Sequence, residues 1–182
     1  MDQHSMQWNV VFTTFHNERK VADILTKNKI TNYCPLNKIY GKWSNHKKLN
    51  LEPLFESCLF VPINAELQFH VREISGIIGF LYWLGQPAVI SSEEIEVIKQ
   101  FVNNYTNVQL EKVPINCNET GRVVSRPVMM REEISQESNH KTLKVLLPSL
   151  GYTLIAEVDK INVQKVNSFK NAFHDLTTLQ MQ

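Results

Sequence analysis

Two prolines, Pro53 and Pro62, bracket one of the densest apolar runs in the chain, Glu52–Ile63, which reads Glu-Pro-Leu-Phe-Glu-Ser-Cys-Leu-Phe-Val-Pro-Ile. Proline lacks a backbone donor and clashes with the preceding turn of a helix, so it suits the limits of a strand and not a helix interior. Leu59, Phe60, Val61 and Ile63 are strand-forming residues. Alternation along such a strand sends Cys58 and Phe60 to one face and Leu59 and Val61 to the other. One face is then free to hold helices while the opposite one, with Phe12 beside it, meets a partner.

The flanking segments build a domain around this strand. Trp8–Phe15 is rich in aromatic and β-branched residues and reads as a buried strand. Asn17 can cap the next element, and Glu18–Lys29 places Val21, Ala22, Ile24 and Leu25 on one side of an amphipathic helix that stops at Asn28. Tyr33–Tyr40 reads as a second strand. The polar stretch Gly41–Asn50 is expected at the tip of a long hairpin whose return arm is the central strand. Leu67, Val71 and Ile74 mark a short helix within 64–75, and Ile77–Trp83 a further strand, followed by a short extended piece at Pro87–Ile90. Ser91–Tyr105 has a capping-box spacing at Ser91 and Glu94, acidic residues in its first turn and an apolar stripe of Ile95, Ile98, Phe101, Val102 and Tyr105. The order β α β β α β α predicts an α+β fold, an antiparallel sheet with packed helices.

Beyond residue 105 the pattern changes. Residues 106–118 are polar, contain Pro114 and read as a linker between an N-terminal domain over 7–105 and a second domain over 119–168. Short strands are expected at Arg122–Ser125, Met129–Ile134, Thr142–Leu147, Tyr152–Val158 and Val163–Val166, separated by turn signals, which suggests a small C-terminal β-barrel. A polar tail occupies 169–182.

Charge is uneven although the net charge is only +1. Residues 1–64 carry eight Lys/Arg against five Asp/Glu, and residues 65–116 carry three against six. Parts of opposite sign suit two chemically different partners. Cys34, Cys58 and Cys117 have no metal-like spacing, and their odd number argues against a secreted disulfide framework, so a reducing cytoplasm is expected. No apolar run reaches the length of a membrane span. No glycine-rich phosphate loop, His-Glu-x-x-His pair or Cys-x-x-Cys pair occurs, and no set of groups fills nucleophile, base and stabiliser roles together. The expectation is a binding protein with no metal or cofactor, not an enzyme.

Two constellations carry binding chemistry. Lys38, Tyr40, Lys42, Trp43, His46, Lys47 and Lys48 combine phosphate-neutralising cations with rings that stack on bases. A solvated hairpin tip with Trp43 folded back on the sheet fits the same residues. The second set, Phe12, Phe55, Phe60, Phe80, Tyr82 and Trp83, suits a partner surface or plain core.

The series Trp8–Phe15, Glu18-Arg19-Lys20-Val21, Glu52-Pro53-Leu54-Phe55 with Leu59-Phe60-Val61, Ile77–Trp83 and Gln86-Pro87-Ala88, in that order and spacing, resembles the NusG N-terminal domain over about residues 7–105. Asn32-Tyr33-Cys34-Pro35-Leu36, Trp43-Ser44 and Lys47-Lys48 are most similar to specialised paralogues of the RfaH and UpxY kind. The C-terminal part resembles the family's KOW barrel in degenerate form. Its usual Gly-Pro-Leu-x-Gly-x-x-Gly stands here as Arg126-Pro127-Val128-Met129-Met130-Arg131-Glu132-Glu133, with every glycine replaced. That loss removes easy access to positive φ at the barrel turn and weighs against contacts through this domain to a ribosomal protein or to Rho.

The resemblance implies a transcription elongation or antitermination factor that suppresses pausing or termination, specific to a few operons. It implies docking on the β′ clamp helices of RNA polymerase through Phe12, Phe55, Cys58, Phe60 and Ile98. It also implies contact with the β lobe near Gln68–Arg72 and with non-template DNA through His16, Arg19 and Lys20, with Thr14 near them. Cys58 stands where tyrosine is frequent in the family, and Glu56-Ser57 where Pro-Gly or Pro-Asn is common. The alternative is a small nucleic-acid-binding module that uses the basic-aromatic hairpin 38–48.

Overall fold

The computed structural model describes residues 6–43, 46–83, 85–113, 129–134 and 140–159. The chain divides into two compact units, residues 1–36 with 53–92, and residues 37–52 with 93–182.

In the first unit the organising strand is β1, Gln7–Thr13. The other elements of this unit are α1 (Glu18–Lys27), β4 (Cys58–Ile63), α2 (Ala65–Arg72), β5 (Ile77–Phe80), β6 (Tyr82–Trp83), β7 (Gln86–Pro87) and β8 (Val89–Ile90); β2 (Leu36–Trp43) and β3 (His46–Pro53) lie between α1 and β4 in the sequence. β1 pairs antiparallel with β4 along one edge, from Gln7 opposite Ile63 to Phe12 opposite Cys58. Its other edge pairs with β5 and β8, with a register shift between Phe12 and Thr13. Flanked on both edges, β1 buries Asn9, Val10, Val11 and Thr13. Val11, Leu59, Val61, Ile63 and Phe80 form one side of the core, and Val21 and Leu25 of α1 with Val71 of α2 pack in the same cluster.

The spacing of Val21 and Leu25 by one helical turn is what turns α1 onto the sheet. Its stop is set by Asn28, whose backbone and side-chain N–H groups both donate to the Ile24 carbonyl, and by Lys29 in the left-handed region at φ 59°. α2 is capped as its sequence suggests, with the Asn64 side chain accepting from the Leu67 N–H at 2.8 Å. The Asn17 side chain, expected as a cap of α1, makes no capping bond and donates instead to the Thr14 hydroxyl.

The stretch Glu52–Ile63 is not one strand. Glu52 and Pro53 end β3, Leu54–Ser57 turn, and β4 begins at Cys58. Ser57 lies at φ 56°, which breaks the extended backbone, and the Leu54 N–H leaves any ladder to donate to the Pro35 carbonyl. β2 and β3 therefore form a two-stranded sheet of their own, and β3, not the central strand, is the hairpin's return arm.

The second unit joins that hairpin with α3 (Ser92–Asn104), β9 (Gln109–Lys112), β10 (Met129–Ile134), β11 (His140–Leu147) and β12 (Tyr152–Asp159). The last four make an antiparallel sheet in the order β10-β11-β12-β9. β9 falls within the stretch read as a linker, and its polar residues pair with the outer edge of β12. Leu143, Val145 and Leu147 on β11 and Leu154, Ala156 and Val158 on β12 are buried, the alternation of a sheet covered on one face. The Glu94 carboxylate, buried on the first turn of α3, accepts from the Ser149 N–H at 2.8 Å in the β11–β12 turn. The expected strands Arg122–Ser125 and Val163–Val166 and the tail 169–182 lie outside the described residues.

Gly76 separates α2 from β5 at φ 93°, and a Cβ there would sit 2.8 Å from Val21 Cγ2. Gly85, at φ 77°, has open space around it. Gly76→Ala is therefore expected to destabilise by about 2 kcal/mol or more, through backbone strain and a clash with α1, and Gly85→Ala by about 1 kcal/mol from strain alone. Urea unfolding of the two variants measures the difference.

Candidate functional site

Alternation places Val10 and Phe12 of β1 on the same face as Phe60 and Cys58 of β4, their register partners. Phe12 is half-buried between two unlike neighbours. On one edge it faces Cys58, and on the other Gly79 of β5, where an added Cβ would meet nothing within 4 Å.

Phe60 is different. It is 0% exposed, and Phe55 above it only 7%. The two rings meet edge to face with centroids 5.4 Å apart, and Tyr33 stacks on Phe60 at 6.3 Å. Tyr33 is held there by two backbone hydrogen bonds to Phe60, at 2.8 and 3.0 Å. The expected partner face is thus split. Phe12 and Cys58 are reachable, whereas Phe55 and Phe60 form the interior of an aromatic cluster. Ile98, the fifth residue of the set, belongs to the second unit and is fully buried on α3.

The turn before β4 is tied down by a carboxylate. Glu18, buried at the start of α1, accepts the Ser57 N–H at 2.6 Å, and the Ser57 carbonyl accepts the Thr13 N–H at 2.8 Å. Ser57 thus links the end of β1 to the start of α1. Its left-handed backbone explains why a residue such as glycine or asparagine suits this position. Burial, helped by the Glu18 charge, pushes the Cys58 thiol up to about 11, and the same two causes push Cys34 up to about 11. Both thiols are protonated near neutrality, which makes them packing groups and not nucleophiles.

His16, Arg19 and Lys20 are exposed and close together in sequence at the turn into α1, with His16 at φ 59°. Phe15, which the sequence suggested as the end of a buried strand, is instead exposed in that turn, its ring centroid 3.8 Å from that of His16. The β1 ladder ends at Thr13, and the Thr14 N–H goes to the Gly76 carbonyl. Arg72 of α2 donates to the Tyr82 hydroxyl and lies over the rings of Phe80 and Tyr82. Trp83 beside it is exposed. The spacing of Gln68 and Arg72, one helical turn apart, signals a shared face, but nothing in the sequence points to Tyr82 as their common partner.

No group of three or more His, Cys, Asp and Glu among the described residues could hold a metal ion. No helix there is long and apolar enough to cross a membrane. A family model described as "Transcription termination factor nusG" matches residues 6–99, more than half of the chain. The chain belongs to the NusG family. Members of the NusG family are transcription factors and not enzymes, and the matched residues run from the start of β1 into α3. No curated protein matches the chain. Among solved structures, it is similar to one described as "Domain interaction in Thermotoga maritima NusG", at 20% identity over 84% of this chain and 93% of that one, with a TM-score of 0.47.

The elevated thiols give a pH signature. A thiol whose pKa rises from 9.0 to about 11 on folding favours the folded state while protonated. That contribution is complete below pH 9 and is lost as pH rises through about 11. Unfolding free energy is expected to fall across this window, and a Cys34→Ser, Cys58→Ser double variant to show a shallower fall than the parent protein under the same denaturant series.

Proposed function

We propose that this chain is a transcription elongation and antitermination factor that binds RNA polymerase through its first unit. The observation that carries the reading is the NusG family match over residues 6–99, the segment that builds the β1 sheet. Half-buried Phe12, opposite Cys58 on one edge and opposite the side-chain-free Gly79 on the other, supports the reading as an accessible apolar contact for a partner helix. In this reading the β′ clamp helices meet it. Phe55 and Phe60 act from beneath, as a rigid aromatic floor, and Ile98 is a core residue of the second unit.

His16, Arg19 and Lys20 are the residues for non-template DNA, and Phe15 adds an exposed ring to them. In the same reading the segment Gln68–Arg72 faces the β lobe, and the Arg72–Tyr82 hydrogen bond, with exposed Trp83 next in sequence, supports a polar and aromatic contact there. The four-stranded sheet of the second unit is the described part of a degenerate KOW barrel. Cys58, Glu56 and Ser57, at positions where the family's common residues differ, fit a specialised paralogue of the RfaH and UpxY kind.

The test is retention of the full chain on immobilised bacterial RNA polymerase, with and without excess isolated β′ clamp helices. Retention should fall on adding the competitor. Phe12→Ala should weaken binding by roughly tenfold or more, the size of a truncated aromatic anchor, with its folded fraction checked by thermal unfolding. Retention that the clamp helices leave untouched would sink the clamp-docking reading.

A further inference from the structure

A groove of about 570 Å³ in the first unit is lined by α2, by the residues that follow α1 and by Met6, and it contains none of the residues assigned above to polymerase or DNA. Its floor is apolar. Ile30, Leu67 and Ile74 line it and pack against the core cluster. Met6 joins them and is 56% exposed. An exposed, unbranched thioether adapts to whatever surface meets it.

The polar wall comes from α2 and its C-cap. Glu66, His70 and Glu73 follow one another at spacings of four and three, so they share one stripe of the helix. The two carboxylates are seven residues apart, about 10 Å along the axis. His70 between them turns its Nδ1 back to the Glu66 carbonyl at 3.2 Å. Among the described residues no Lys or Arg lines the groove. Lys29, next to Ile30, lines the neighbouring recess with Thr26 and Asn32. Arg72 is engaged with Tyr82, on another side of α2. The remaining polar groups of the lining, Asn28 and Asn64, are spent on bonds to Ile24 and Leu67. Neither carboxylate has a cation within ion-pair distance among the described residues, where the ion pair is Lys99 with Glu96. The helix dipole favours Glu66 in the first turn, but Glu73 stands at the C-terminal end, where the dipole favours a cation. An incoming positive group relieves that mismatch.

We propose that this groove docks an extended basic–aliphatic segment of a partner protein, with an aliphatic side chain on the Ile30, Leu67 and Ile74 floor and a Lys or Arg two residues to either side on Glu66 and Glu73. In an extended chain those three side chains point the same way, and the outer two are about 13 Å apart, a span that flexible basic stems shorten to meet the carboxylates. Nucleic acid and anionic membranes are repelled by the same carboxylates. The site uses neither Phe12 nor Cys58, so it is separate from the clamp dock.

The experiment titrates the end-capped peptide Gly-Arg-Ser-Leu-Ser-Arg-Gly into the isotope-labelled full chain and follows its amide and methyl resonances. Saturable shifts are expected at Met6, Leu67 and Ile74, with Phe12 and Cys58 unmoved. A Glu66→Gln, Glu73→Gln variant should bind roughly fivefold more weakly, the size of two exposed ion pairs. Replacing the peptide leucine by glycine should cost roughly tenfold, the size of a partly buried aliphatic side chain. A Glu66→Arg, Glu73→Arg variant should lose the arginine peptide and gain Gly-Glu-Ser-Leu-Ser-Glu-Gly, a gain that a misfolded chain cannot show. Both variants should keep wild-type retention on RNA polymerase, so a failed groove and a failed clamp dock are told apart. No saturable shift at the groove overturns the proposal, as does an affinity that neither variant changes while its unfolding midpoint is intact. Self-association of the free chain that the double glutamine variant abolishes also overturns it, by giving the groove to a second copy.

Discussion

The antiparallel register between β1 and β4 is the constraint on which the first unit depends. β1 buries Val10 on one face and Val11 on the other, so a one-residue slip would exchange Val11 with Phe12 and Leu59 with Phe60. Ser57 adds a tie at the end of this register. Its carbonyl takes the Thr13 N–H and its N–H goes to the Glu18 carboxylate, so the end of β1, the start of α1 and the start of β4 share one residue. Glu18 is buried, and a buried carboxylate with a short bond to a backbone donor is costly to disturb. The same arrangement places Phe12 opposite Cys58 on one edge and opposite Gly79 on the other.

The second unit follows similar logic with other groups. Asn37 and Asn107 replace missing ladder bonds at the root of the hairpin, and Glu94 takes a backbone N–H from the β11–β12 turn. In each case a buried or half-buried polar side chain supplies what backbone pairing alone does not. Such bonds are specific in direction, so they choose one placement of an element among several that apolar packing would accept.

Much was legible before the structure. α1 was readable because Val21, Ala22, Ile24 and Leu25 repeat at the helical period, and β11 and β12 because Thr142–Leu147 and Tyr152–Val158 are rich in strand-forming residues between turn signals. The order of strands and helices across residues 7–105 carried the resemblance that the family match bears out at the level of the NusG family. The breaks were harder. Glu52–Ile63 looked continuous because its apolar residues are dense and Pro53 and Pro62 bracket them, while the break at Ser57 depends on an acceptor thirty-nine residues earlier in the chain. β9 was read as linker because Gln109-Leu-Glu-Lys has little strand character of its own, and it is a strand because β12 offers it a free edge.

The sequence by itself determined most of the kinds of element and their order, because periodicity and local propensity are properties of neighbouring residues, and its series of motifs in register carried the resemblance to the NusG family. Only the tertiary structure decided which aromatic residues are accessible. Phe12 and Phe60 share a face and a pattern, yet Phe60 lies beneath Phe55 and Tyr33 and Phe12 borders an empty glycine position. Alternation assigns a side chain to a face of the sheet, and whether that face is covered depends on segments distant in sequence that reach it only when the chain has folded.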